Sequence, residues 1–402
     1  MNFFRRSAPA TTVQLRPAST AHDGAPERKQ AHALTRLFST VLPAEGGSGT
    51  LDWARRSRAY RDNAIVHRCV RLVSEACASV PLLAYEGERE LSGHPLLALL
   101  DRPNPSQGRT ALVEAIVCHQ LLAGRACLER VDVDGEPREL HLLQPDSVET
   151  VADRAGWPTA IIHQAGTRKR RHEIEADGDC RIAVLATFDP LAGSEGAADM
   201  AAAWEAVLTH RAASRWSRAL LENSARPSGA LVYRSEAGNL TDEQFERLRT
   251  ELEDGYSGAA RAGRPLLLEG GLDWKAMGYS PRDMDFAETR HAAARDIALA
   301  FGVPPMLLGI PGDNTYANLR EANRAFARHT VVPLMVRLAD ALTHWLAPRY
   351  RGDGLRLTFD LDRLEGLSED RDRVWRRLAE APFLSDAEKR VALGYSPEPE
   401  GS

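Results

Sequence analysis

The sequence predicts an α+β fold in which a mixed α/β first half is followed by long helices that flank a small α/β insert. Short apolar runs separated by turn residues between residues 126 and 182 indicate β-strands. Helical periodicity over residues 199–222 and 283–301 indicates two long helices. Residues 224–281, between those helices, again combine strand and helix patterns. Long helices around a small insert are typical of an elongated subunit rather than of a compact enzyme.

The composition is that of an ordinary soluble folded protein, with 402 residues of which 43% are hydrophobic and 27% charged. The formal net charge of −5 argues against a protein that grips nucleic acid by bulk positive charge. None of the five cysteines forms a C-x-x-C pair, and Cys69 and Cys77 fall on an apolar helical stripe. We therefore expect small core cysteines in a reducing cytoplasm. The sequence has no apolar run long enough to span a bilayer and no hydrophobic stretch after its first residues, so no membrane partner is expected.

The first half begins with residues 1–48, which are rich in Ala, Pro, Thr and Ser and are predicted to be a flexible arm. A helix is predicted over residues 66–80 because apolar side chains recur there at spacings of three and four. Pro81 ends it, and a strand is predicted at Leu82–Tyr85. Two further helices are predicted at His94–Leu100 and Leu112–Leu122, ahead of the strands.

The second half begins with the helix at residues 199–222, about 36 Å long at roughly 1.5 Å per residue. Its predicted apolar face repeats at intervals of four residues: Trp204, Leu208, Ala212, Trp216 and Leu220. A strand at Ala230–Tyr233, a capping box at Thr241–Gln244 that opens a helix to about Glu253, and a hairpin over residues 266–277 are predicted next.

A third long helix is predicted from about Thr315 to Trp345, with a bend at Pro333, because proline lacks an amide donor and clashes with the preceding turn. A strand at Leu355–Leu361 and a helix at about Glu369–Glu380 follow. The tail ends in a short capped helix at Ser385–Glu388.

Catalytic spacing is missing from the sequence, which has no phosphate-cradling G-x-x-x-x-G-K-[ST], no zinc-binding helix and no G-x-S-x-G elbow. No catalytic residue, cofactor or metal ligand is therefore predicted. Two features leave alternatives open. The run Arg168–His172 could touch phosphate or be a solvated hairpin tip. Asp360 and Asp362 could bind a metal or form an exposed polar face.

Several segments, in their order and spacing, share a pattern that covers roughly residues 50–395. They are residues 60–85, 94–105, 120–126, 140–148, 223–229, 267–271, 286–290, 297–309 and 315–318. The strongest stretch runs from Phe286 through Gly302-Val303-Pro304-Pro305 to Asn318. Together these segments resemble the portal protein family of long-tailed phages. Arg125 stands where the family usually has asparagine, and Cys127 where it usually has an aromatic residue.

The resemblance implies a structural protein that forms a ring, usually of twelve copies, at one vertex of a capsid. It implies that double-stranded DNA passes through the ring. It also implies contacts with the terminase large subunit, the major capsid protein and a head–tail adaptor. The particle would be a phage, a prophage or a gene transfer agent, assembled in the bacterial cytoplasm.

The resemblance also implies a division of the chain into named regions. They are an arm (1–48), a wing (49–197), a stem helix (198–223), a clip (224–281), a second stem helix (282–302), a tunnel loop (303–316), a spine helix (317–347), and a wing strand with a crown (348–402).

Charged residues of the stem helices are candidates for contacts between neighbouring subunits. Arg211, Arg215 and Arg218 form a basic stripe on the first stem helix. Asp285, Glu288 and Asp296 carry the opposite sign on the second. We expect pairing between subunits, with the tryptophans packed inside each stem. The alternative, that the arginines are simply solvated, stays open.

The candidate residues of the tunnel loop are Gly309, Gly312, Asp313, Asn314, Thr315 and Tyr316. Prolines stiffen this loop and the two glycines permit turns. Asp313, Asn314 and Tyr316 could present short polar contacts to passing phosphates. Alternatively, Asn314 or Thr315 merely caps the next helix.

Two other functions remain open on the sequence. One is a cytoplasmic hydrolase with an unrecognised site, which predicts clustered titratable groups. The other is a helical nucleic-acid adaptor or scaffold, which predicts a basic face.

Overall fold

The computed structural model of the protein describes residues 52–190, 196–222, 229–233, 272–276, 286–311, 316–350 and 354–393, with single residues between 241 and 250. Residues 220–222, 229–233, 272–276, 286, 316, 365 and 368–370 are described by their backbone alone. All of these residues belong to one compact unit, Leu51–Ser402.

The first helices form because polar caps and apolar stripes coincide in the sequence. Helix α1 (Trp53–Asp62) is capped by Asp52, and α2 (Ala64–Ala78) by Asn63, whose side chain accepts from the amides of Ile65 and Val66. The predicted stripe of α2 is confirmed, with Cys69 and Cys77 fully buried. Helices α3 (Pro95–Asp101) and α4 (Arg109–Ala123) follow the predicted positions.

The β region contains the predicted strands and arranges them in antiparallel sheets. Strands β1 (Leu82–Glu86) and β2 (Arg89–Glu90) come before α3. The central sheet has the order β4–β3–β8, and the third sheet has the order β5–β6–β7. Their bounds are β3 (Arg125–Val133), β4 (Glu136–Leu143), β5 (Val148–Ala152), β6 (Pro158–Ala165), β7 (Arg168–Glu173) and β8 (Ile182–Ala186).

Two long helices, α5 (Asp199–Glu222) and α6 (Phe286–Ala300), pack against each other. Between them, β9 (Gly229–Tyr233) pairs with β10 (Leu272–Ala276) in an antiparallel register. The prediction of which face of α5 is buried was wrong. The buried residues are Met200, Ala203, Val207 and Ala213, whereas Trp204, Leu208, Ala212 and Trp216 are only half-buried. Met200, Ala203 and Val207 belong to the large apolar core that the start of α5 enters, so tertiary contacts decide which face of the helix is buried.

The third long helix is interrupted at the predicted place. Helix α7 (Tyr316–Phe326) continues through a π-helical turn at Ala327–Val331 into α8 (Val332–Leu346). Pro333 follows this turn and has no amide to donate, which accounts for the irregular register before it.

The C-terminal part contributes one strand and two helices. Strand β11 (Leu355–Phe359) pairs with β1, with Leu82 opposite Phe359. The predicted strand was two residues too long, since Asp360 and Asp362 lie in a 3₁₀ turn after its end. Helix α9 (Ser368–Ala379) follows, and α10 (Asp386–Ala392) begins with the predicted capping box of Ser385 and Glu388.

One large apolar core joins α2, α4, α8 and the ends of α5 and α6. A smaller cluster around Cys127, Ile161 and Ile182 lies between the β4–β3–β8 sheet and the β5–β6–β7 sheet. None of the described helices combines the length and apolar composition needed to cross a bilayer.

Some predicted elements cannot be compared with the structure. The arm at residues 1–48, the first strand of the hairpin (266–269) and most of the helix at 241–253 lie outside the described residues.

Candidate functional site

The paired helices α5 and α6 carry the charged residues predicted to join neighbouring subunits. Arg215, Arg218, Glu288 and Asp296 are exposed, and Arg211 is partly exposed. Arg211, Arg218 and Glu288 already make an interaction within the chain. Asp285 lies outside the described residues. The structure therefore places five of the six candidates on one helix pair, all at least partly open to solvent.

Helix α5 is fixed to the first half of the chain through His210. The Nδ1 atom of His210 lies 3.3 Å from Nδ2 of Asn63, the residue that caps α2. Burial lowers the pKa of His210, and the nearby Arg290 on α6 lowers it further. A neutral imidazole therefore connects α5 to the start of α2.

The loop after α6 begins with a Schellman motif. The amide of Val303 donates to the carbonyl of Ala298 (2.8 Å), and the amide of Gly302 donates to the carbonyl of Leu299 (3.0 Å). Gly302 has a φ of 64°, the left-handed conformation that this motif needs. Gly302 directly follows the helix predicted at residues 283–301, but no local pattern shows what contacts it.

The first half of the predicted tunnel loop is packed rather than extended. Val303 and Ile310 are buried, and Pro305–Leu308 form a 3₁₀ turn closed by Gly309 with a φ of 70°. The guanidinium of Arg295 on α6 donates to the carbonyl of Pro311 (2.8 Å). Between the buried Val303 and Ile310, Gly309 is exposed and residues 304–308 are partly exposed.

Of the loop candidates, Gly309 is therefore located, and its predicted turn conformation is confirmed. Gly312, Asp313, Asn314 and Thr315 lie outside the described residues, as does the side chain of Tyr316. The helix predicted to follow the loop begins at Tyr316.

A buried cluster of charges, not predicted from the sequence, joins the central sheet to the end of α8. Arg130 on β3 is 1% exposed. Its Nε donates to Asp132 (2.8 Å), and its two Nη atoms donate to Asp179 (3.2 Å each). Arg349 also pairs with Asp179, and the indole of Trp345 donates to the carbonyl of Cys180 (2.9 Å). The cluster fixes the end of the long helix to the sheet.

The two open alternatives can be placed in the fold. Arg168–Arg171 are exposed residues of the edge strand β7, which pairs with β6 across a two-residue turn, so the run begins at a solvated hairpin tip. Asp360 bonds to the backbone of its own turn, and Asp362 pairs with Arg371. Across the described ranges, no group of three or more histidine, cysteine or carboxylate side chains is arranged to hold a metal ion.

Comparisons with known proteins agree with this architecture. The family model described as "Phage portal protein" matches residues 64–394. An uncharacterised protein of Rickettsia bellii is 38% identical over 339 residues, which cover 84% of this chain and 87% of that protein. A probable portal protein of Streptomyces phage phiC31 is 27% identical over 363 residues, 84% of this chain and 75% of that protein.

Solved structures give the same result. A chain from the neck of an empty gene transfer agent particle, computed with C6 symmetry, is 48% identical with a TM-score of 0.69 and covers 88% of this chain and 95% of that one. A chain from the neck of a native particle, computed with C12 symmetry, is 46% identical with a TM-score of 0.67, over 89% and 99%. With a family match that extends from α2 to the end of α10, the chain belongs to the phage portal protein family.

Proposed function

We propose that the protein forms a ring-shaped channel for double-stranded DNA at one vertex of a phage or gene transfer agent capsid. The observation that carries this proposal is the 48% identity, over 88% of the chain, to a chain in the neck of a gene transfer agent particle. The paired helices and the anchored loop provide parts suited to such a channel. In this role the protein is structural and not an enzyme.

The proposed regions follow the chain in order. The sheets and helices α1–α4 are the wing, α5 and α6 the stem, and residues 224–281 the clip. Residues 303–316 are the tunnel loop, α7 and α8 the spine, and the C-terminal helices the crown. Strand β11 returns to the wing because it pairs with β1.

The proposed ring contains twelve copies, as the C12 symmetry used for the similar chain suggests. Twelve subunits of net charge −5 sum to 12 × −5 = −60. Each phosphate neutralised by a cation adds affinity, so a basic channel would slow DNA. A net negative ring instead repels DNA, which keeps the duplex centred and moving.

The partners we propose are those of the family. The clip faces the terminase large subunit during packaging and a head–tail adaptor afterwards, and the ring contacts the major capsid protein. In the stem, Arg215 and Asp296 are the pair we propose between neighbours. Both are exposed, and neither forms an ion pair with another described residue.

The proposal is tested by deleting residues 309–314. Because the buried Val303 remains to anchor the shortened loop, rings should form at normal yield. Particles should package or retain less DNA, measured as DNA per particle by quantitative PCR after nuclease treatment. Normal DNA content in particles with the shortened loop would contradict a channel role for this segment.

A hydrolase or a nucleic-acid adaptor would behave differently in that experiment. A hydrolase should not form rings, and an adaptor should bind free DNA in a salt-dependent way. Purified protein is therefore also titrated with duplex DNA at low and high salt, and a channel subunit of net negative charge should bind weakly at both.

A further inference from the structure

The π-helical turn at Ala327–Val331, called the hinge turn below, interrupts the long helix between α7 and α8. The amide of Val332 donates to the carbonyl of Ala327, five residues back. Such turns inside α-helices often mark functional sites. The hinge turn is therefore a place to look for contacts that a regular helix would not make.

One side of the hinge turn holds the first residue of the loop after α6. The Oγ1 atom of Thr330 donates to the carbonyl oxygen of Gly302, at 2.6 Å. A Cβ atom at Gly302 would lie 2.7 Å from that same Oγ1. The two residues are thus in close contact, and Gly302 has to be glycine both for its conformation and for this approach.

Another segment presses on the same turn. A Cβ atom at Gly366 would lie 2.9 Å from Cβ of Ala327 and 3.0 Å from the carbonyl oxygen of Asn323. Gly366 belongs to the 3₁₀ turn that leads into α9. The C-terminal segment and the loop after α6 therefore both contact the hinge turn. At Gly366 the approach is close because glycine has no side chain.

The loop itself is packed against the rest of the chain from Gly302 to Pro311. Buried Val303 and Ile310 fix its two ends, and the 3₁₀ turn Pro305–Leu308 lies between them. The hydrogen bond from Thr330 adds one more contact, at Gly302, to those that hold this segment in place.

We propose that Thr330 is a positioning residue for the tunnel loop, and that it acts from the hinge turn. Conversion of the π turn to regular α-helix would rotate Thr330 by about 100° relative to α8, at 3.6 residues per turn. The hydrogen bond to Gly302 would then be lost. A change of register in the spine helix is in this way converted into release of the loop. The hydrogen bond between Thr330 and Gly302 does not depend on the proposed function. The expected effect on packaged DNA rests on that function.

The test compares Thr330→Val, which keeps the shape and removes the hydroxyl, with Thr330→Ser, which keeps the hydroxyl. Hydrogen exchange is followed in the full chain for peptides that cover residues 302–311. Loss of one hydrogen bond should raise exchange there by roughly two- to tenfold in the valine variant. The serine variant should match wild type, and the melting temperature and ring yield serve as controls for folding.

The functional arm measures packaged DNA per particle for both variants beside the deletion of residues 309–314. We expect the valine variant to change DNA content in the same direction as the deletion, and the serine variant to behave as wild type. Unchanged exchange over 302–311 in Thr330→Val would overturn the positioning role. Increased exchange with normal DNA content, while the deletion still impairs packaging, would overturn its link to the channel and leave the proposed function standing. If the deletion has no effect, the channel role proposed for this segment fails, and hydrogen exchange alone still decides whether Thr330 positions the loop.

Discussion

At the scale of single residues, His119 shows how burial changes a side chain's chemistry. It lies on α4, with its ring edge-on to Trp53 at 5.3 Å between centroids. Burial lowers the pKa of His119 to about 4, and the negative charge of Asp146 only partly opposes this effect. The imidazole therefore stays neutral in the folded protein well below its ordinary pKa.

We expect this group to make the protein less stable in acid. Between about pH 6.5 and pH 4 the unfolded chain takes up a proton at His119 and the folded chain does not, so the free energy of unfolding falls as pH falls. In a His119→Phe variant, this part of the fall in the free energy of unfolding is absent. Its stability relative to wild type should rise by up to about 3 kcal/mol between pH 7 and pH 4, measured by urea unfolding of both proteins at the same concentration.

The comparison must be made as a difference, because another group acts in the opposite direction. Burial raises the pKa of Asp199 to about 6. The folded state therefore holds this proton more tightly, and its contribution is lost as pH rises from about 4 to 6. Subtracting the two pH curves removes this contribution. A difference that does not depend on pH would contradict the buried, neutral state of His119.

The charge cluster around Arg130 leads to a second residue-scale prediction. Replacing Asp179 with alanine leaves the fully buried Arg130 with Asp132 as its remaining ion-pair partner, so stability should fall by about 3–5 kcal/mol. Glu136→Ala is the matched control, since it breaks the exposed pair with Arg138 and should cost less than about 1 kcal/mol. Equal losses for the two variants, measured by chemical unfolding, would show that the cluster is not buried as described.

At the scale of elements, periodicity predicted the helices but not always their buried faces. The apolar stripe of α2 was predicted correctly because the valines and cysteines that recur at helical spacing are the residues that the core buries. On α5, Trp204, Leu208 and Trp216 also recur at helical spacing, yet the packed face consists mainly of smaller residues. Hydrophobicity alone favours the larger side chains, whereas close helix packing favours the smaller ones. The choice is made by the partner helix, which the local sequence does not reveal.

The assignment of the buried face of α5 can be tested by truncation. Met200 is fully buried, so Met200→Ala should cost about 2–5 kcal/mol. Leu208, on the face first predicted, is half-buried, and Leu208→Ala should cost clearly less. If Leu208→Ala proves the more damaging substitution in chemical unfolding, the packing of α5 described here is wrong.

The interruption of the long helix was also only partly predictable from the local sequence. Pro333 predicted a bend, because its chemistry is local. The π register and its tertiary contacts depend on distant segments. Thr330 in the turn contacts Gly302, 28 residues earlier in the chain, and Ala327 lies against Gly366. No pattern within the helix could have indicated them.

At the scale of the whole molecule, the fold depends on pairings between distant parts of the chain. Strand β11 pairs with β1, and Arg349 pairs with Asp179 in the charge cluster around Arg130. Antiparallel pairing over such distances cannot be derived from local patterns, since any exposed strand could accept the partner. The resemblance to a known family predicted the architecture where local patterns could not.

Assembly is the property of the whole molecule on which the proposed function depends. Arg215→Glu reverses a charge on the exposed face of α5 and should weaken ring formation if stem residues pair between subunits. Arg138→Glu, at an exposed site with a partner in its own chain, is the matched control. Intact rings at normal yield from both variants, measured by mass photometry, would remove the stem pairing from the proposal.

The most direct test of the central claim is electron microscopy of the purified wild-type protein. We expect closed rings of twelve copies, in which α5 and α6 line a central opening and the end of the 303–316 loop reaches into it. A population of single compact copies, or rings in which that loop lies on the outer surface, would contradict it.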